Sequence, residues 1–266
     1  MAGYADDLAL AHVLADSADT ISMARFRALD LRVESKPDLT PVSDADTAVE
    51  KAIRATLARA RPRDGVLGEE FGRSAAAAGP GSRYWVIDPI DGTKNFVRGV
   101  PIWATLIALM EGDTPVVGLV SAPALGRRWW AGRGLGAFAG KNQHSATRIN
   151  VSEVRRMTDA SFCYASLNGW ADIGRLDQMM DILLGVWRSR AYGDFYGYML
   201  LAEGALDAMA EPELSLWDMA ALIPIVTEAG GRITDLDGRP TADKSSVIGT
   251  NGLLHESVLT ALARRS

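Results

Sequence analysis

Apolar residues recur at helical spacing between residues 4 and 27 (Leu8, Ala11, Ala15 and Ala18, with Leu14 and Ile21 alongside). Asp6 and Asp7 fall in the first turn, where the helix dipole favours acids. After the polar, two-proline connection "KPDLTPVSD", Val49, Ile53 and Leu57 mark a second helix over 44–61, stopped by Pro62. "GVLGEEF" reads as a short strand running into a Glu pair, and "AAAAGPGS" at 75–82 as a flexible surface loop. From Trp85 to Phe138 the pattern changes. Apolar runs separated by Gly, Pro and Asp turns predict strands at 83–90, 101–110, 115–122 and 127–131. The expected arrangement is an antiparallel meander with two long helices on one face.

The second half alternates. Strands are expected at 161–166, 186–192, 206–210, 232–236 and 246–250, with helices near 175–184 and at 196–204, 216–229 and 256–264. Such alternation predicts a more open, layered α/β unit. The polar stretch "GKNQHSATRIN" suggests the boundary, giving an N-terminal α+β domain over 1–145 and a C-terminal α/β domain over 146–266. Pro224 falls inside the expected helix 216–229, where it should remove the bond to the Ala220 carbonyl and kink the helix.

Composition narrows the function classes. Of 266 residues, 48% are hydrophobic and 23% charged, an ordinary globular balance. No run of eighteen apolar residues occurs, and "MAGYADDLAL" carries acids where a secretion signal would carry basic residues, so an unexported, cytoplasmic protein without membrane contact is expected. The single cysteine, Cys163, excludes an internal disulfide. A net charge of −5 argues against a broad nucleic-acid footprint and leaves small molecules or proteins as partners. Three scattered histidines (His12, His144, His255) and one cysteine do not make a familiar zinc site, so any metal must be held by oxygen.

The candidate chemistry lies in "WVIDPIDGTKNF", where Asp88 and Asp91 stand at the end of an apolar run. Two buried carboxylates repel each other and require positive charge. Glu69 and Glu70 fit an exposed acidic turn, and Asp46 in "SDAD" and Asp218 in "SLWD" each fit a helix capping box. Yet all these acids fall at strand ends or helix starts, where a site between sheet and helices gathers its ligands. Converging carboxylates are stable around hard cations such as Mg²⁺. The turn after Asp91 adds the amides of Gly92 and Thr93, which suit an anion. Acids, metal and anion-binding amides together point to phosphate chemistry.

"DPIDGTKNF", with "LGEE" upstream and "WDMAA...TEAGG" downstream, resembles the inositol monophosphatase family in motif content and order, over Leu8 to Leu262. The resemblance implies an αβαβα layered fold of mixed α+β class. It also implies a homodimer and a lithium-sensitive phosphomonoesterase that uses two or three Mg²⁺ per active site. By motif, Glu69 would bind metal, Asp88 would bridge two metals, the Ile90 carbonyl would complete one shell, and Asp91 and Asp218 would hold the second metal. Thr93 and Asp46 would orient the attacking water, with Asp44 as the alternative to Asp46.

Within that family, "TKNFVRGVPIWATLIAL", "APALGRRWWAGRG" and "RAYGDFYGY" resemble the actinobacterial histidinol-phosphate phosphatase branch. Inositol-cleaving members have a small Ser or Thr where this chain has Asp194. An acid there suits a substrate bearing an ammonium group, although Asp194 could instead cap the helix from Tyr196. Glu211 matches a position that touches the non-phosphate part of the substrate. The implied activity is hydrolysis of L-histidinol phosphate. The alternatives are an inositol-1-phosphate or broad sugar-phosphate phosphatase, and a regulatory binding protein of the same fold.

Two further patterns carry less. Gly134, Gly136 and Ala139 fit GxGxxG/A but lack the strand, tight turn and helix of a dinucleotide site. "RRWW" (Arg127–Trp130) is expected to alternate across a strand with one Trp buried, rather than to stack on bases.

Overall fold

The computed structural model describes residues 3–37, 40–74, 81–241 and 245–263. Most of the loop expected at 75–82 lies outside the described residues. Helix α1 (Ala5–Arg25) and helix α2 (Asp44–Ala60) flank a short hairpin of β1 (Val33–Ser35) and β2 (Pro41–Ser43). A capping box starts α2: the Ser43 N–H donates to Asp46 Oδ2 at 2.8 Å, and the Ser43 side chain caps the helix amides in return. The helix stops at Ala60, before Pro62, which cannot continue it.

Eight strands form the first sheet: β3 (Gly65–Gly68), β4 (Gly72–Arg73), β5 (Arg83–Asp91), β6 (Ala104–Glu111), β7 (Thr114–Ala122), β8 (Arg127–Gly132), β9 (Gly136–Gly140) and β10 (Thr147–Arg148). Their order is β10-β9-β8-β7-β6-β5-β3-β4, antiparallel throughout except where β3 runs parallel to β5. Alternation along the strands divides their side chains between two cores. Trp85, Ile87, Ile107, Leu109, Leu119 and Trp130 pack under α1 and α2 with Leu14, Ile53 and Leu57. Each such side chain contributes about 1.5–3 kcal/mol when fully buried. Val86, Leu106, Val120 and Trp129 point the other way.

This second face corrects one expectation. Both Trp129 and Trp130 are buried, at 1% and 3% exposure, because the sheet is covered on both sides. Gly134 and Gly136, both with positive φ, belong to the turn between β8 and β9 and the start of β9, and their amides donate to the Glu228 carboxylate. The glycine pattern is therefore a hairpin.

The remaining elements are β11 (Ser161–Tyr164), α4 (Leu167–Asp172), α5 (Leu176–Gly185), β12 (Arg188–Arg190), α6 (Asp194–Ala202), β13 (Ala208–Leu214), α7 (Leu216–Met219), α8 (Leu222–Glu228), β14 (Arg232–Thr234), β15 (Ser245–Thr250) and α9 (His255–Leu262); the short α3 (Thr93–Val97) follows β5 directly. The second sheet has the order β12-β11-β13-β15-β14, parallel on one side and antiparallel on the other. Helices α6 and α8 lie between the sheets: Phe195, Tyr198, Leu201, Ile225 and Val226 share one core with Val86 and Trp129 of the first sheet and Met209 and Val247 of the second. On the outer face, Trp170, Met179, Ile182, Val258 and Leu262 cover Phe162, Ala208 and Ile248. The result is the αβαβα layering.

Where one helix over 216–229 was expected, the chain forms two, α7 and α8, separated at Ala220 and Ala221. Pro224 is the third residue of α8 and has no N–H to donate to the Ala220 carbonyl, so the interruption falls where the proline was expected to disturb the helix. The interrupted segment lies close against the sheet: a Cβ at Gly118 of β7 would overlap the Ala221 carbonyl. Helix α4, centred on the buried Trp170, was not predicted. Among the described residues no helix is long and apolar enough to cross a membrane.

Candidate metal centre and active site

The site begins with a fault in β5. Residues three apart on a regular strand point to opposite faces. Here Asp88 lies opposite Leu106 and Asp91 opposite Ala104, so three steps on β5 match two on β6. This bulge allows both aspartates to serve one site. Pro89 occupies it, having no N–H to lose from the ladder, and its carbonyl accepts the Thr105 hydroxyl at 2.8 Å. Past the bulge, Gly92 turns the chain with φ +81°, and a Cβ there would press on the Ile102 carbonyl. Helix α3 starts immediately afterwards, leaving the amides of Thr93 and Lys94 without helical partners, while Asn95 and Phe96 donate to the Gly92 carbonyl.

Asp88, Asp91 and Asp218 converge: each offers a carboxylate oxygen, and all three lie within 4.8 Å of one another. Asp88 is 1% exposed, and its Oδ1 accepts the Ile90 N–H at 3.0 Å. Asp91 Oδ2 accepts the Phe195 N–H at 2.8 Å. Asp218, third residue of α7, uses Oδ2 in the Ser215 capping box. Glu69 stands beside this group in the turn after β3. Gly68 makes that turn possible, since a Cβ there would overlap the buried Glu50 carboxylate, which accepts the amides of Glu70 at 2.8 Å and Phe71 at 3.3 Å. The Ile90 carbonyl accepts the Thr93 hydroxyl at 2.9 Å and keeps a second lone pair. Thr93 Oγ1 also lies 3.4 Å from Asp46 Oδ1, while Asp46 Oδ2 is held by Ser43.

The acids pay an electrostatic cost for this proximity. Burial, followed by the charges of Glu69, Asp91 and Asp218, holds the Asp88 pKa well above the ordinary carboxylate range. Burial and then Asp194 and Asp218 do the same to Asp91. Asp46 is pushed up to about 6 by burial, against the lowering effect of its bonds from Ser43. An all-oxygen donor set whose members repel one another fits a hard divalent cation.

The acidic centre opens on a cavity of about 430 Å³, whose lining includes Glu69, Asp88, Asp91, Thr93, Asp194, Glu211 and Asp218; Asp46 lies behind Thr93, fully buried. Asp194 is the first residue of α6, with Gly193 at the cap position and φ +48° at Asp194 itself. Its Oδ2 lies 3.4 Å from where a Cβ on Gly92 would be. Burial raises its pKa, opposed by Lys94. Glu211, in β13, is 3% exposed and pushed up to about 8 by burial and then by Asp194 and Asp218.

Sequence reasoning missed four residues here. Lys94, Glu213 and Trp217 line the cavity. Lys36 reaches across from the loop between β1 and β2 to Glu69 at 2.6 Å and Glu70 at 2.8 Å. Lys94 could have been found beside Thr93 in the motif; Lys36 had no local signal.

A model of the inositol monophosphatase family matches residues 6–266. The chain is 62% identical to a histidinol-phosphatase of Streptomyces coelicolor, covering 100% of both chains, and 58% identical to a histidinol-phosphatase of Mycobacterium tuberculosis, covering 97% of this chain and 98% of that one. In structure it is similar to an inositol monophosphatase from Zymomonas mobilis, with a TM-score of 0.85, 34% identity, and 98% and 99% of the two chains covered. With the fold, the acidic centre and the whole-length match in agreement, the chain belongs to the inositol monophosphatase family.

Proposed function

We propose that this protein hydrolyses L-histidinol phosphate to L-histidinol and phosphate, as a Mg²⁺-dependent phosphoric monoester hydrolase. The observation that carries the substrate assignment is Asp194. Its carboxylate sits beside the Gly92 turn and lines the same cavity as the acidic centre, where a substrate ammonium could be paired while its phosphate meets the metals. The high identity to two histidinol-phosphatases supports this reading.

The family is generally Mg²⁺-dependent, and two or three ions per site suit the number of acids. In our reading Glu69, Asp88 and the Ile90 carbonyl would hold one ion, and Asp91 and Asp218, together with Asp88, would hold a second. When bound, Mg²⁺ supplies Lewis-acid charge for the phosphoryl oxygens and lowers the pKa of water. The chain's own part is positioning. Asp46 Oδ1 and the Thr93 hydroxyl form a pair that can orient a water and take its proton, while the amides of Gly92 and Thr93 face phosphate oxygens. The new bond joins water oxygen to phosphorus, the ester P–O bond breaks, and the alcohol leaves with a proton.

The reading includes a homodimer and inhibition by lithium, a small hard cation suited to the same oxygens. It also includes a cytoplasmic setting, supported by the single, buried thiol, and a division of the chain near residue 145 into two lobes that both supply the site. Substrate class is tested by assaying purified protein with Mg²⁺ against L-histidinol phosphate, inositol 1-phosphate and a nucleotide 3′-phosphate. A kcat/KM for histidinol phosphate at or below that for inositol 1-phosphate overturns the assignment. No phosphate release from any ester favours the binding-protein alternative. Lithium insensitivity well above ordinary buffer concentrations counts against the metal site.

A further inference from the structure

Glu211 is held from behind. Tyr198, on α6, is fully buried and does not line the cavity, and its hydroxyl donates to Glu211 Oε2 at 3.3 Å. Two glycines make this contact possible. A Cβ at Gly197 would overlap Met209 Sδ of β13, and a Cβ at Gly249 of β15 would lie 3.2 Å from the Tyr198 ring. Met209 and Gly249 are paired across the two strands, so a single point of the sheet is cleared for α6 and the Tyr198 ring to approach. The helix that starts with Asp194 thus also carries, one turn later, the group that holds Glu211. Both acids that face the non-phosphate end of the cavity are set by one rigid element.

We infer that Tyr198 is a positioning residue for substrate selection: its hydroxyl fixes one oxygen of Glu211 and so directs the other toward the N–H groups of a nitrogen-bearing phosphate ester. The inference rests on the substrate reading above and deepens it. A side chain with free rotation would accept a hydroxyl or an N–H in several poses, whereas a carboxyl anchored at Oε2 presents one acceptor at one place. Tyr198 itself touches no reacting atom.

The test is a double-mutant cycle on the Mg²⁺-loaded protein with Tyr198→Phe, Glu211→Gln and the pair, assayed with L-histidinol phosphate and with p-nitrophenyl phosphate. Phenylalanine keeps the ring in its slot, and the ratio of the two rates cancels any loss of folded protein. We expect Tyr198→Phe to lower kcat/KM for histidinol phosphate by about three- to tenfold, mainly through KM, with a much smaller change for p-nitrophenyl phosphate, which carries no N–H group. In the Glu211→Gln background the same substitution should add little. Equal losses on both esters, or full additivity with Glu211→Gln, overturn the inference and leave Tyr198 as core packing. If the wild-type protein fails to turn over histidinol phosphate but cleaves inositol 1-phosphate, the substrate reading fails instead. The cycle is then read on inositol 1-phosphate, where non-additivity supports the anchoring role and additivity overturns it.

Discussion

Asp91 and Phe195, separated by 104 residues, are joined directly: the Phe195 N–H donates to Asp91 Oδ2 at 2.8 Å. The first turn of α6 is thereby pinned to the acidic centre, and the residue before Phe195 is Asp194. A hydrogen bond of this kind also uses the positive end of a helix to stabilise a buried carboxylate. The group proposed to read the substrate and the group proposed to hold metal therefore move together.

Replacing Asp194 with Ser should change selectivity more than catalysis. Loss of a charged hydrogen bond to the substrate ammonium costs roughly 1.5–3 kcal/mol, or about ten- to a hundredfold in kcat/KM for histidinol phosphate. A neutral ester never makes that contact, so the ratio of the two rates is the quantity to measure. Equal losses on both esters would reduce Asp194 to a helix-start residue.

Asp88→Asn should abolish turnover with the fold intact. Asp88 is fully enclosed, and its raised pKa records burial and the charge of its neighbours. The amide keeps the shape and removes the charge, so the metal-free protein should melt at a higher temperature than wild type. Activity within tenfold of wild type at saturating Mg²⁺ would remove Asp88 from the site.

The metal-free protein should lose stability as pH rises from 6.5 to 8.5. Acids whose pKa is raised on folding hold their protons to higher pH in the folded state than in the unfolded chain, so stability is greatest below their unfolded values near 4 and is lost as pH climbs through the folded ones. Glu70, pushed up to about 7, and Glu211, pushed up to about 8, titrate in this window, with Asp88 and Asp91 shifted in the same direction. His12 and His255, lowered to about 4 by burial, act with opposite sign only below pH 6.5. Calorimetry in chelator should show the melting temperature falling across the window, and Mg²⁺ should flatten or reverse the trend. A rise in chelator would contradict the shifts.

Lys36 stands as a counter-ion for the Glu69–Glu70 pair. Burial works against its charge, but the two carboxylates more than offset this and hold its pKa above the ordinary value. Lys36→Met should free Glu69, lowering the Mg²⁺ concentration for half-maximal activity several-fold while lowering the melting temperature of the metal-free protein. An unchanged Mg²⁺ requirement would show that the ammonium does not compete with metal for Glu69.

Local chemistry made much of this molecule legible in one dimension. The helical spacing of Val49, Ile53 and Leu57 and the "SDAD" box specify α2, and the same kind of box starts α7 at Ser215. Both depend only on contacts within a turn, which adjacent residues supply by themselves. The meander from β5 to β8 is likewise encoded by apolar runs and tight turns, and the motif order was sufficient to place Asp88, Asp91 and Asp218 in one expected site.

Other features depended on packing between distant segments. The burial of both Trp129 and Trp130 follows from helices covering both faces of the first sheet, which no strand pattern specifies. The break between α7 and α8 at Ala220 and Ala221 falls where Pro224 cannot donate to the Ala220 carbonyl, and so was legible, whereas the close approach of the Ala221 carbonyl to Gly118, about a hundred residues away in sequence, arises only after the layers assemble. Lys36 and Tyr198 acquire their partners in the same way, through charge and hydrogen-bond complementarity between elements that carry no mark of each other in the sequence. Propensity and capping act over a few residues, so they determine elements; tertiary contact alone decides which side chains an acid meets across a cavity.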